Sequence, residues 1–223
     1  MTDAAIPLPM TSDDDAPPTD ALAVLSLDDA IRWRRDVRRF RPDPVPADLL
    51  AELLALADCS PSVGNSQPWR IAIIENPAIR ARVRASFEAA NAAAALAYPD
   101  DRRDAYLSLK LAGFDMAPVH LAVTCDETTP QGDRLGAATM PEMRRYSCVS
   151  MITVLWLAAR SRGLGMGWVS ILDPDEVLSA IGSAPPLVGY LLLGWPEEHH
   201  LDPELERHEW QARTPADARI RTL

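Results

Sequence analysis

No run of apolar residues in this 223-residue chain reaches the roughly 18 needed to cross a bilayer, so a helical membrane span is not expected. The first 20 residues carry Asp13, Asp14, Asp15 and four prolines instead of a charged segment followed by an apolar one. A cytoplasmic protein is the expectation. Cysteine is scarce: Cys59, Cys125 and Cys148 are odd in number, stand far apart and lack paired metal-ligand spacing. That pattern suits a reducing compartment, with the three thiols in or near the core. Of the four histidines only His199 and His200 are neighbours, and they sit in a polar stretch, so no metal site is expected. Positive charge is in deficit as well. A net charge of -10 repels a phosphate backbone or an anionic membrane surface, which argues against a nucleic-acid or membrane partner. Gly163, Gly165 and Gly167 alternate, but their spacing and setting are wrong for a dinucleotide fingerprint, and no internal repeat is present.

What remains is enough for one domain. At 24.4 kDa and 48% hydrophobic residues the chain can build a single core but not two. Residues 1–22 read as a flexible acidic tail and 23–223 as one domain. Ser26 followed by Asp29 resembles a capping box, predicting a short helix that ends near Arg34. Three prolines keep Arg38 to Pro46 extended, and the leucine stripe from Leu49 predicts a helix ending near Ala57. Strands are expected at Trp69–Glu75, Val119–Cys125, Trp168–Ile171 and Leu187–Gly194. Helices are expected at 77–97, at 102–116 beyond Pro99, at 146–162 and at 174–181. The glycines at 163–167 read as a sharp turn, and Asp126 to Arg145 as a long loop suited to a lid. Short strands among helices of unequal length give an α+β or α/β assignment.

The candidate chemistry begins with Arg32, Arg34, Arg35, Arg38, Arg39 and Arg41, a basic cluster within an acidic protein. Guanidinium forks match phosphate oxygens, whereas the plainer reading is a solvated face paired with carboxylates. Asp36, set among those arginines, is expected to have a lowered pKa and to act as a proton acceptor. The loop Ser60-Pro-Ser-Val-Gly-Asn-Ser-Gln-Pro-Trp69 offers hydroxyls and amides to a polar heterocycle, although turn chemistry alone accounts for much of it. Ser170, expected on a strand beyond the glycines, places a hydroxyl near any ligand there.

Five segments in combination resemble the BluB family of 5,6-dimethylbenzimidazole synthases, within the nitroreductase-like superfamily. They are Arg34-Arg-Asp-Val-Arg38, Pro61-Ser-Val-Gly64 with Gln67-Pro-Trp-Arg70, Leu109-Lys-Leu-Ala-Gly113, Thr139-Met-Pro-Glu-Met143 with Tyr146-Ser147, and Gly167-Trp-Val-Ser-Ile171. The resemblance runs from about Leu25 to Arg213. It implies an α+β sandwich, with a central, mainly antiparallel mixed sheet flanked by helices. It further implies an intertwined homodimer with two FMN sites shared between subunits. Members consume reduced FMN with dioxygen, releasing 5,6-dimethylbenzimidazole, the lower ligand of vitamin B12, and erythrose 4-phosphate; a separate flavin reductase supplies the reduced FMN. Carried over, Arg34, Arg35, Val37 and Arg38 contact the flavin, with Arg34, Arg35 and Arg38 holding it, phosphate included. Ser62 binds the ring or ribityl region, Leu111 lines the pocket, and Asp36 and Ser170 are the catalytic pair at the flavin. Arg213 matches a C-terminal phosphate-binding arginine loosely. The chemistry requires enclosure, because reduced flavin meeting dioxygen in water ends as hydrogen peroxide. Two departures stand out: the acidic tail, and Asn65 where a bulkier or apolar residue is expected. The competing readings are an NAD(P)H-dependent FMN nitroreductase or quinone reductase, and a non-catalytic flavin carrier.

Overall fold

The computed structural model describes residues 25–108, 113–215 and 219–222; the acidic tail and Leu111 lie outside the described residues. In chain order the elements are α1 (Leu27–Trp33), α2 (Ala47–Asp58), β1 (Trp69–Ile73), α3 (Pro77–Leu96), α4 (Asp100–Ser108) and α5 (Gly113–Met116). They continue with β2 (Val119–Cys125), α6 (Met143–Ser161), β3 (Gly165–Val169), α7 (Pro174–Ile181), β4 (Leu187–Gly194) and α8 (Glu204–Arg207). No described helix is long and apolar enough to cross a membrane.

The strands form one antiparallel sheet in the order β1-β2-β4-β3. Successive strand side chains point to opposite faces, so the continuous apolar runs of β2 and β4 feed two cores. Leu121, Val123, Cys125, Leu191 and Leu193 meet α2 and α6 on one face through Leu53, Ala57, Met151, Ile152 and Leu155. Ala122, Tyr190 and Leu192 face the other way, toward Val83, Phe114 and Val177 of α3, α5 and α7. A one-residue slip of β2 would exchange the two sets, which is why this register is strongly specified. The result is the expected α+β sandwich, helices on both faces of the sheet.

Several expectations need correction. Gly163–Gly167 is not simply a turn: only Gly163 has positive φ, +79°, where it ends α6, while Gly165 and Gly167 lie within β3. Their missing side chains serve close packing. A Cβ on Gly165 would fall 2.6 Å from Val37 Cγ2, and one on Gly167 would fall 2.4 Å from the Val37 carbonyl oxygen. Ser170 therefore lies just past the strand end instead of within it. Cys59 is exposed, because it follows the last turn of α2 on its outer side; Cys125 and Cys148 are buried as expected. The long loop is shorter than expected, since α6 starts at Met143.

That loop is also tied down. Gln131 donates to the Asn65 carbonyl at 2.9 Å and to Gln67 Oε1 at 2.8 Å, and Gly64 sits so close that a Cβ would meet Gly132 O and Leu135 O at 2.9 Å each. Asn65, the departure from the family pattern, has φ +54°, a left-handed conformation that asparagine tolerates better than bulky or branched residues.

Candidate active site

Helix α1 fixes the start of the site. Ser26 Oγ accepts the Asp29 N–H at 3.1 Å, Asp28 and Asp29 favour the N-terminus, and the helix stops as Arg34 turns to extended geometry. The following residues run beside β3 as one more short strand. Val37 N–H donates to Met166 O at 3.0 Å and Asp36 bridges Met166 in the parallel sense, a parallel feature at the edge of an otherwise antiparallel sheet among the described residues. The close approach depends on Gly167. We predict that Gly167→Ala will push this segment off β3, at a cost of about 1–3 kcal/mol by the usual price of overpacking. Chemical unfolding and flavin titration should both register the loss.

An extended segment sends alternate side chains to opposite sides: Arg35 and Val37 line one cavity, Asp36 and Arg38 another, and Arg34, which caps α1, joins the first. Arg34 stacks over Trp156 with 4.7 Å to the ring centroid, and Trp156 Nε1 donates to the Arg35 carbonyl at 3.1 Å. Arg34, Arg35 and Val37 line a small cavity with Trp33, Trp156 and Arg160. Burial, then repulsion from Arg34 and Arg213, pushes the Arg35 guanidinium down to about 10. Burial likewise lowers Arg34 and Arg160. Arg35 Nε and Arg160 Nε are buried without a hydrogen-bond partner among the described residues. Glu198 lines the same cavity, and Asp36 and Asp202 act on Arg34 and Arg35 from a distance. Among the described residues, however, none of Arg34, Arg35 and Arg160 has a carboxylate within ion-pair distance, so desolvated positive charge is left in excess, which favours an anion there.

Arg38 and Arg39 behave differently. Glu204 lies 3.7 Å from Arg38 Nε and 3.2 Å from Arg39 Nη1, and Glu198 accepts from Arg39 Nε at 2.8 Å. Arg41 pairs with Asp43 at 3.2 Å on the surface. The plain reading of the cluster, charges paired with carboxylates, thus applies to Arg39 and Arg41 and not to Arg34 or Arg35.

Asp36 faces a second crevice, of about 170 Å³, with Arg38, Phe87, Asn91, Tyr106, Trp168, Val169, Ser170 and Ile171. Its Oδ1 accepts the Trp168 N–H at 3.0 Å, and Arg38 Nε stands 3.5 Å from Oδ2. The expected lowering of its pKa is wrong in sign. Burial raises it, the Trp168 N–H and Arg38 only partly offset this, and Glu204 adds to the rise. The reason is geometric: among the described residues Arg38 is the arginine that comes within hydrogen-bond distance of the carboxylate, and burial outweighs it. The side chain is still 40% accessible, because the crevice is open at its mouth.

The structure therefore brings Arg34, Arg35, Asp36, Val37, Arg38 and Ser170 to one region. Arg213 is exposed but close enough to Arg34 and Arg35 to repel both. Ser62 is elsewhere in the chain: its Oγ accepts the Gln67 N–H at 3.0 Å, and it lines neither crevice. The Asp126–Glu142 loop packs against Ser62's own loop instead of covering Asp36. Arg160 is the residue that sequence reasoning missed, only 6% accessible, with Nη1 3.0 Å from His199 Nδ1. Its signal was present in the sequence, as a charge four residues after Trp156 within an apolar helix. Among the described residues no three His, Cys, Asp or Glu side chains group as metal ligands.

Arginines without an ion-pair partner among the described residues, beside a crevice walled by Phe87, Trp168 and Ile171, suit a planar ligand with an anionic end. By fold the chain is an α+β sandwich, with a cationic cavity and an apolar-walled crevice at one extended segment. The profile of the nitroreductase family matches residues 31–195, and the chain belongs to that family. It is 54% identical over 191 residues to the 5,6-dimethylbenzimidazole synthase of Rhodospirillum rubrum, covering 85% of this chain and 90% of that one. The Rhodobacter capsulatus protein of the same name is 44% identical over 194 residues, covering 86% and 94%. Among solved structures, an oxidised iodotyrosine deiodinase bound to FMN and 3-iodo-L-tyrosine superposes with a TM-score of 0.66 at 23% identity, over 78% of this chain and 92% of that one.

Proposed function

We propose that this chain is a 5,6-dimethylbenzimidazole synthase, a dioxygen-using oxidoreductase that fragments reduced FMN to the benzimidazole and erythrose 4-phosphate. The observation that carries the reading is its 54% identity to the Rhodospirillum rubrum synthase across nearly the whole of both chains. The residues present fit FMN. Arg34, Arg35 and Arg160, whose guanidiniums are partly desolvated and without an ion-pair partner among the described residues, would hold the phosphate, with the exposed Arg213 close enough to join them. Arg38 would border the ring crevice, and Val37 the cavity of Arg34 and Arg35. When bound, reduced FMN supplies the electrons and the carbon skeleton of the product.

This chain's own contribution is to bind, to orient and to manage protons. Asp36, with a raised pKa and anchored by Trp168 N–H, holds or moves a proton at Oδ2. Ser170 orients the reacting face with its hydroxyl. A crevice of about 170 Å³ falls below the roughly 300 Å³ at which pockets begin to enclose ligands of this size. A homodimer completes the site, with Ser62 and the Asp126–Glu142 loop of a second subunit supplying the remaining wall. A separate flavin reductase delivers the reduced FMN.

The alternative, an NAD(P)H-dependent nitroreductase, shares the fold and differs in keeping its flavin. The synthase should purify nearly colourless and oxidise NADPH negligibly with a quinone or nitroaromatic acceptor. A yellow protein with sustained NADPH turnover would place it with the nitroreductases instead.

A further inference from the structure

Tyr106 lines the same crevice as Asp36 and Ser170, is only 8% accessible, and its hydroxyl has no hydrogen-bond partner among the described residues. Leaving a buried hydroxyl unpaired destabilises the folded state. The ring itself is well packed. It stacks on Tyr98 with centroids 4.9 Å apart and lies 6.3 Å from Trp210, which Arg102 covers at 4.4 Å. Packing thus explains the aromatic ring and leaves the hydroxyl unexplained, since phenylalanine would fill the same space without the penalty.

The surroundings indicate what the hydroxyl meets. Phosphate is served by the guanidiniums of Arg34, Arg35 and Arg160 in the neighbouring cavity, and Arg38 is the only cation among the residues of this one. Phe87, Trp168, Val169 and Ile171 give this crevice apolar walls, and the Asn91 amide adds a second polar group on the same side of the sheet. A flat heteroaromatic ring with acceptor atoms at its edge satisfies both kinds of wall. A phenol is a neutral donor at physiological pH, and a neutral acceptor on such a ring is its natural partner.

We propose that Tyr106 is a binding residue for the flavin ring, its hydroxyl donating a hydrogen bond to an acceptor at the ring's polar edge once the ligand enters. The proposal rests on the flavin reading above and deepens it. It also accounts for the position of Tyr106 against Trp210. The aromatic contact pins the C-terminal segment that carries Arg213, so one side chain serves the ring crevice and steadies the arm that reaches toward the phosphate cluster.

The test uses the full-length protein and Tyr106→Phe, a change that keeps the stacking and removes only the hydroxyl. Oxidised FMN and oxidised lumiflavin, which has the ring without ribityl or phosphate, are titrated by flavin fluorescence, and the flavin-free protein is melted. Expected is a similar weakening for both ligands, about fivefold to tenfold by the usual net value of one neutral hydrogen bond. The flavin-free variant should melt at the same temperature as the parent or higher, because an unpaired buried hydroxyl has gone. Unchanged lumiflavin affinity, or a loss confined to FMN, would overturn the proposal. So would a lower melting temperature, which would show that the hydroxyl is already engaged within the protein. Failure of the parent to bind any flavin would sink the flavin reading and this one together. If binding shifts as expected while the parent forms no benzimidazole, the role of Tyr106 stands and only the assigned reaction falls.

Discussion

Asp36→Asn should lower benzimidazole formation by at least about a hundredfold, the usual scale for losing an acid–base group, while flavin affinity changes little. Asparagine keeps the Oδ1 acceptor for the Trp168 N–H, so the segment beside β3 stays in place. Only the titratable oxygen near Arg38 is lost. The pH dependence of stability adds a second check. Burial raises the Asp36 pKa above its ordinary 3.8, so the ionised form is disfavoured in the folded state. The stabilising contribution is therefore full below the ordinary carboxylate range and is lost as pH climbs through the folded value. At neutral pH the asparagine variant should be at least as stable as the parent, and its advantage should vanish in acid. Thermal melts across that range read the difference directly. A variant of near-parental activity would remove Asp36 from the chemistry.

Arg35→Met should weaken FMN binding by about 10- to 100-fold, since a hydrogen bond from a charged donor contributes about 1.5–3 kcal/mol. Riboflavin, which lacks the phosphate, should bind both proteins almost equally. The contrast follows from the position of Arg35, half-buried beside Arg34 and Arg160 with Nε unpartnered among the described residues. Methionine keeps most of the stem's apolar contact and removes the charge. The flavin-free variant should also melt higher, because a desolvated cation repelled by Arg34 and Arg213 has been deleted. Equal losses for FMN and riboflavin would move Arg35 from the phosphate to some other part of the ligand.

Much of the fold was legible because its signals were local. The Ser26 cap, the leucines of α2, the alanine run of α3 and the apolar strand β4 each specify an element without help from distant residues. The resemblance assembled them into the sandwich. What the sequence concealed was contact between remote segments. Gly165 and Gly167 look like turn residues until Val37 is seen lying against them. The direction of the Asp36 shift was missed for the same reason. Counting adjacent arginines suggests a lowered pKa, but among the described residues Arg38 is the one that reaches the carboxylate, and burial outweighs it. Arg160 was hidden in a helix that reads as plain core, and only the fold places its charge beside Arg35.

The central claim is that this arginine nest and crevice receive reduced FMN in order to consume it. The direct measurement is to incubate the protein aerobically with FMN, NADH and a separate flavin reductase, then analyse the small molecules by mass spectrometry. The account predicts that FMN disappears as 5,6-dimethylbenzimidazole accumulates, with no such product when the protein is omitted. FMN recovered intact, with NADH spent only on hydrogen peroxide, would contradict it.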